Sequence, residues 1–223
     1  MALFAISDLH LSFGTDKPMD VFGSRWENYE KKLEENWNRD VSPEDVVIVN
    51  GDNSWAMYLE DTYEDFKFIN SLNGTKLLLK GNHDYWWSTM SKHEKWCQKN
   101  GFDTIKFIHN NHYLYGGTAI CGTRGWQLTD RSAEDIKVYN RERERLINSL
   151  KSAAGTKNII AALHYPPDDG FKSVLCEYGV SFCVFGHLHA GGFKDYSDFE
   201  ENGIPYRLVS CDYLGFEPYK IIT

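Results

Sequence analysis

Residues 76–87 read "KLLLKGNHDYWW". A short run built on three leucines, which reads as a buried strand, ends in a glycine, an amide, an imidazole and a carboxylate, followed by three aromatic residues. Side chains this costly to bury stand at a strand end either to shape a turn or to hold a ligand. The same kind of ending recurs at four other strand candidates: "SDLH" (7–10), "NGDN" (50–53), "LHYP" (163–166) and "FGHLH" (185–189). In an α/β sheet, ligands bind beyond the carboxyl ends of the strands. Five such endings in one chain therefore predict one shared site.

Between these endings lie β-type runs, "LFAIS", "VVIVN", "YLYGGTAIC", "NIIAAL", "SFCVF" and "YRLVS" among them. They alternate with helical patterns near 25–38, 58–71, 88–99, 132–153 and 169–178. That alternation predicts an α/β fold, with hairpin-like strands at 105–122 and 205–222 adding an antiparallel portion. The helix near 132–153 opens at "TDRSAED" with capping residues, and its "RERERL" (141–146) reads as a solvated face. No repeat or flexible linker divides the chain, so a single domain is expected over residues 1–223.

Composition narrows the function. The chain has 223 residues and a formal charge of −8, from 24 basic and 32 acidic residues. Such a balance works against long polyanions, so long nucleic acid is not an expected partner. The first residues, "MALFAISDLHLSF", lack a basic region and are interrupted by Asp8 and His10, so neither a leader nor a membrane span is expected there. The five cysteines are widely spaced without a C-x-x-C pair, which suits reduced thiols in the cytoplasm.

The polar residues themselves are metal-type ligands. Asp8 and His10 are two apart, as are His187 and His189, and in extended backbone that spacing puts both side chains on one side. Carboxylates, imidazoles and an amide, with no cysteine among them, suit a hard or borderline divalent ion rather than a structural zinc. Seven candidates, Asp8, His10, Asp52, Asn82, His164, His187 and His189, exceed what one ion with an open position would take. Two ions fit better.

The ordered set Asp8-Leu9-His10, Gly51-Asp52, Gly81-Asn82-His83-Asp84, His164 and Gly186-His187-Leu188-His189 resembles the calcineurin-like metallophosphoesterase superfamily. The resemblance spans most of the chain and implies a four-layer α-β-β-α sandwich with two mixed β-sheets. It implies that Asp8, His10, Asp52 and His189 hold one ion. Asp52 would bridge to a second, completed by Asn82, His164 and His187. His83 would act as general acid on the leaving group with Asp84 orienting it, after attack by a metal-bridging hydroxide on a phosphodiester or small phosphate monoester. Asp8, Asp52 and that hydroxide would leave two divalent ions with a surplus of about one positive unit, enough to anchor a phosphate on an acidic chain. Manganese or iron is expected, with zinc possible.

Departures from related subfamilies prune the substrate. "GDNSWAM" lacks the D-R-G continuation of the phosphoprotein phosphatases, Trp55 stands where purple acid phosphatases carry a tyrosine ligand, and His83 is an arginine in lipid-A pathway pyrophosphatases. What remains is similar to compact bacterial phosphoesterases, cyclic-nucleotide-type phosphodiesterases included, acting on a small phosphate ester. A non-catalytic scaffold on the same fold is the alternative. Tyr85, Trp86, Arg124 and Trp126 are the candidates for substrate contact, followed by Trp87, His112 and Tyr165. "CDYLGFEP" (211–218) reads as structural, with Cys211 near the rim, and a homodimer is a reasonable expectation.

Overall fold

The structure, a computed structural model, describes residues 1–189 and 198–222. Among the described residues, eleven strands form two sheets. The first holds β1 (Leu3–Ile6), β2 (Val46–Val49), β3 (Thr75–Leu78), β4 (Ile105–Phe107) and β11 (Tyr219–Ile222), ordered β11-β1-β2-β3-β4. The second holds β5 (His112–Tyr115), β6 (Thr118–Thr123), β7 (Asn158–Leu163), β8 (Phe182–Phe185), β9 (Phe199–Glu201) and β10 (Ile204–Leu208), ordered β5-β6-β7-β8-β10-β9. Each sheet has four parallel strands, with antiparallel strands only at its edges: β11 in the first, β5 and β9 in the second.

Alternation along the strands sorts the side chains into three cores. Leu3, Ala5, Ile48 and Leu77 meet Ile120, Ile160, Ala162 and Val184 between the sheets. Their neighbours Phe4, Ile6, Val47, Val49 and Leu78 turn the other way, against α1 (Tyr29–Asp40), α2 (Tyr63–Ser71) and α3 (Met90–Asn100). Ile159, Ala161 and Leu163 pack on α4 (Ala133–Ser152) and α5 (Asp169–Glu177). Strands buried on both faces need apolar residues at every position, which explains runs such as "VVIV". The result is the four-layer sandwich, helices outside two mixed sheets.

Both hairpin expectations need correction. Ile105–Phe107 joins the first sheet, parallel to β3, and the true hairpin is β5–β6 in the second. Asn111 makes the crossing between sheets: its Nδ2 donates to Phe107 O at 3.2 Å and its Oδ1 accepts from His109 N at 2.6 Å. Likewise β10 lies in the second sheet while β11 pairs with β1 in the first. The "RERERL" stretch is not wholly solvated either. Ser132 caps α4 by accepting from Asp135 N, and the helical period then places Asp135, Glu142, Leu146, Ser149 and Leu150 on its buried side.

Candidate metal centre

The chain leaves β1, β2, β3, β7 and β8 at the same end of the two sheets, and each exit delivers ligand-type side chains. Asp8 N donates to Gly51 O and His10 N to Asp52 O, both at 2.9 Å, so the first two exits run side by side. Asp8, His10, Asp52 and His187 all hold left-handed backbone, with φ of 62°, 48°, 51° and 71°. Non-glycine residues there cost roughly 1–3 kcal/mol each, a strain that clusters at functional sites. A methyl group at Gly81 would collide with the Asp52 carboxylate and backbone, and one at Gly186 with Ser7 Oγ. The strand exits are packed too closely for any side chain at these two positions.

Two groups of candidate ligands result, Asp8 with His10 and His189, and Asp52 with His164 and His187; within each, one donor atom per residue lies within 4.8 Å of the others. Asp52 Oδ2 stands between the groups, 3.8 Å from His10 Nε2 and 3.5 Å from His164 Nε2. Asn82 Oδ1 is 2.7 Å from His164 Nε2, so the amide faces the second group. His10 Nε2 and His189 Nε2 face one another at 3.4 Å, each 3.7–3.8 Å from a carboxylate oxygen.

The electrostatics suit cations. His164 Nδ1 lies 3.0 Å from Asn50 O and His189 Nδ1 2.9 Å from Asp212 Oδ1, so both rings donate from Nδ1 and keep Nε2 for a ligand. Burial drives His10 well below its ordinary pKa and His164 to about 3, which makes both neutral imidazoles. Burial, then the neighbouring Asp8, pushes Asp52 well up. Burial also raises Asp8, but attraction to His189, whose own pKa the Asp212 carboxylate raises, outweighs it and brings the carboxyl to about 2. Two carboxylates this deep and this close need positive charge between them to stay ionised together. Among the described residues, Asp8 Oδ1 and His10 Nδ1 are buried without a hydrogen-bond partner. A pair of divalent ions fits this donor set.

His83 is tied by its backbone N–H to Asp52 Oδ1 at 2.7 Å. Its ring lies 4.5 Å from Trp55 and 5.7 Å from His10 between centroids, with Nδ1 buried and unpartnered among the described residues, which leaves Nε2 as the nitrogen open to solvent. Asp84 does not orient that ring. Its carboxylate accepts from Gly81 N (2.7 Å), Asn53 N (2.8 Å), Asn53 Nδ2 (2.9 Å), Asp52 N (3.0 Å) and Trp86 Nε1 (3.0 Å), which consumes its lone pairs. Asp84 therefore fixes the loops that carry Asp52 and Asn82.

The substrate candidates separate. A cavity of ≈730 Å³ opens over the ligand groups, walled by Met19, Phe22, Arg25, Trp26, Trp55 and Asp212. Tyr85, Trp86, Arg124 and Trp126 do not line it. Trp86 is 2% exposed and belongs to the core, its indole spent on Asp84. Arg124 turns to Glu142 at 3.2 Å and lies over the Trp126 ring, whose Nε1 donates to Asp135 at 2.6 Å. Arg124 contributes instead through its carbonyl, which accepts from the backbone N–H groups of His164 and Tyr165. Tyr165 packs its ring 4.2 Å from His187, whereas His112 is bonded to Ser152 at the edge of the second sheet. Cys211 Sγ donates to Asp8 O at 2.9 Å, a buried supporting contact.

Three supporting residues escaped sequence reasoning. Asn50 spans the sheets, donating from Nδ2 to Leu163 O and Val184 O while its own carbonyl holds His164. Asn53 clasps Asp84 and Leu79 O. Asp212 holds His189 and corrects the purely structural reading of "CDYLGFEP". It follows the β-type run "YRLVS", so the strand-end rule applied to that run as well would have found it.

Comparison with known proteins agrees. The calcineurin-like phosphoesterase family model matches residues 1–191. Among solved structures, a phosphopantetheinyl hydrolase from Mycobacterium tuberculosis is similar with a TM-score of 0.60 at 13% identity, covering 99% of this chain and 95% of that one. The protein of unknown function AQ665 from Aquifex aeolicus has a TM-score of 0.54 at 17% identity, covering 98% and 95%. TT1561 of Thermus thermophilus has a TM-score of 0.54 at 10% identity, covering 99% and 97%. No curated protein sequence matches. These likenesses carry the fold, and the match over residues 1–191 together with the ligand groups carries the family: the chain belongs to the calcineurin-like phosphoesterases.

Proposed function

We propose that the chain is a metal-dependent phosphoesterase that hydrolyses a phosphodiester or a small phosphate monoester at a dinuclear centre. The observation that carries this reading is Asp52 Oδ2, set between the imidazoles of His10 and His164 where one carboxylate can serve both ligand groups. Asp8, His10, Asp52 and His189 would hold one ion, and Asp52, Asn82, His164 and His187 the other. When bound, such ions supply Lewis acidity and lower the pKa of water from ~15.7 towards ~7.

The chain's own residues do the rest. Asn50 O and Asp212 hold His164 and His189 with Nε2 turned towards the ligand groups, so the imidazoles are orientated before anything binds. Trp55 stacks on His10 with centroids 4.9 Å apart and also touches His83, walling both from bulk water. His83, presenting Nε2 to the cavity, donates a proton to the departing oxygen. Burial lowers its pKa, which makes its protonated form a stronger acid. Manganese or iron suits the donor set, with zinc possible. The five free cysteines fit a reducing compartment, the cytoplasm.

The test uses Mn²⁺-loaded protein with bis-p-nitrophenyl phosphate and p-nitrophenyl phosphate, alongside elemental analysis. Wild type should hydrolyse at least one, His83→Ala should be about 10²–10⁴-fold slower, and Asp52→Asn should bind less metal. Equal rates for all three proteins would refute the reading.

A further inference from the structure

A ridge separates the ligand cavity from a second one of ≈490 Å³ that the proposed chemistry does not use. The ridge consists of two loop segments, each of which serves both sides. Trp55 and His83 face the ligand cavity, whereas Met57, Tyr58 and Tyr85 line the second. The rings of His83 and Tyr85 meet edge-on at 6.1 Å across it. The far wall is α3, which contributes Lys92, Lys95 and Lys99 at spacings of three and four, one helical face.

Three exposed lysines with a single acid, Glu60, in the lining are unusual on a chain of net charge −8. Aromatic surface is interleaved with them. Tyr58 is 70% and Tyr85 53% exposed, and Lys99 stands 5.7 Å over the Trp96 ring. Trp87 and Trp96, both in the wall, keep buried indole N–H donors without a partner among the described residues. The groove is also preformed: Ser88 N donates to His93 Nε2 at 2.8 Å, and Trp87 packs on His93 at 4.8 Å, which pins the loop to α3.

We infer that this groove holds the leaving portion of the substrate, and that this portion carries an aromatic ring and an anionic group of its own, the chemistry of a nucleotide. The inference rests on the phosphoesterase reading, because His83 puts the departing oxygen at the ridge, from which a leaving group runs over Tyr85 towards the lysines. Exposed rings stack on a base, and the lysines meet its phosphate. The size fits one nucleotide, since pockets of roughly 300–1,000 Å³ serve small ligands, and the acidic chain opposes a long polyanion.

The test has two arms. Adenosine 5′-monophosphate is titrated into metal-free protein, followed by tryptophan fluorescence. Wild type should saturate, the double variant Lys92→Glu/Lys95→Glu should bind about tenfold or more weakly, and Lys92→Arg/Lys95→Arg should restore binding. Unchanged affinity on charge reversal, equal affinity for inorganic phosphate, or tighter binding of an oligoglutamate peptide would each overturn the groove assignment. In the second arm, Mn²⁺-loaded protein is given a 5′-phosphorylated dinucleotide and bis-p-nitrophenyl phosphate. The ratio of their kcat/KM values should fall about tenfold on charge reversal, and an unmoved ratio overturns the proposal. Lysine-dependent binding in a protein that hydrolyses neither substrate would leave the groove standing and remove the hydrolase reading instead.

Discussion

Two buried carboxylates flank the ligand groups without joining them, Asp84 on the first sheet's side and Glu142 on the second's, and their surroundings differ in kind. Asp84 meets backbone amides, an Asn53 amide and an indole. Glu142 meets cations: Arg145 at 2.7 Å, Arg124 at 3.2 Å and Arg141 at 3.6 Å, besides Thr123 Oγ1 at 3.0 Å. Neutral donors fix where loops lie but add no net charge. Guanidinium partners fix a helix to a strand, and Arg124 also eases the Asp52 carboxyl towards ionisation. One side of the site is held by shape and the other also by field.

Substitutions can break that contrast. Asp84→Ala should have the largest effect, leaving several buried N–H groups unpaired. A loss of about 3–5 kcal/mol in urea unfolding is expected, together with reduced metal content on elemental analysis. Glu142→Gln should cost less, about 2–3 kcal/mol, because Arg141 and Arg145 reach solvent while Arg124 stays buried without its counter-charge. High salt should narrow the Glu142 difference and leave that of Asp84 untouched. Asp212→Ala, which frees His189 to turn, should weaken binding of the first metal about 10–100-fold in a competitive chelator titration with little change in apo-protein stability.

The smallest effect sharpens the comparison through pH. Asp65 accepts from Phe13 N and Ser54 Oγ with no cation beside it among the described residues, and burial raises its pKa to about 6. Raised above its unfolded value of 3.8, the carboxyl binds more protons when folded, so its contribution is present below pH 3.8 and is lost as pH rises through 6. Asp65→Asn should therefore remove about 2 kcal/mol of pH dependence between pH 4 and 6. Parallel urea curves for the two proteins across that range would contradict the assignment.

How much of this was legible beforehand depends on whether a feature is local. The strand ends carried their ligands in plain view, because an apolar run closing on Asp, Asn or His reports burial and chemistry within a few residues. Sheet membership was not local: β4 and β11 are three and four residues long, and nothing in "IKF" or "YKII" says which of two sheets pairs with it. Asp84 was misread for a related reason. Its neighbour His83 is adjacent in sequence, but its donors come from a loop some thirty residues earlier (|i−j| of 30 to 32) and from Gly81 and Trp86. Glu142 was readable. It lies seven residues after Asp135, in helical phase with it, and the charge alternation of "RERERL" concealed the longer period.

The first ligand group joins residues far apart in sequence: His10 and His189 are 179 positions apart, and Ser210 reaches Asp8 across 202. A ribosome making this protein must release β8 and then β10 before Asp8 gains His189 and Ser210, so the centre cannot close until residue 210 has been made. Until then Asp8 and His10 wait at the end of β1 without their partners. Metal capture thereby waits on the later strands, and a product cut short before residue 187 would carry the early ligands without the means to close either group.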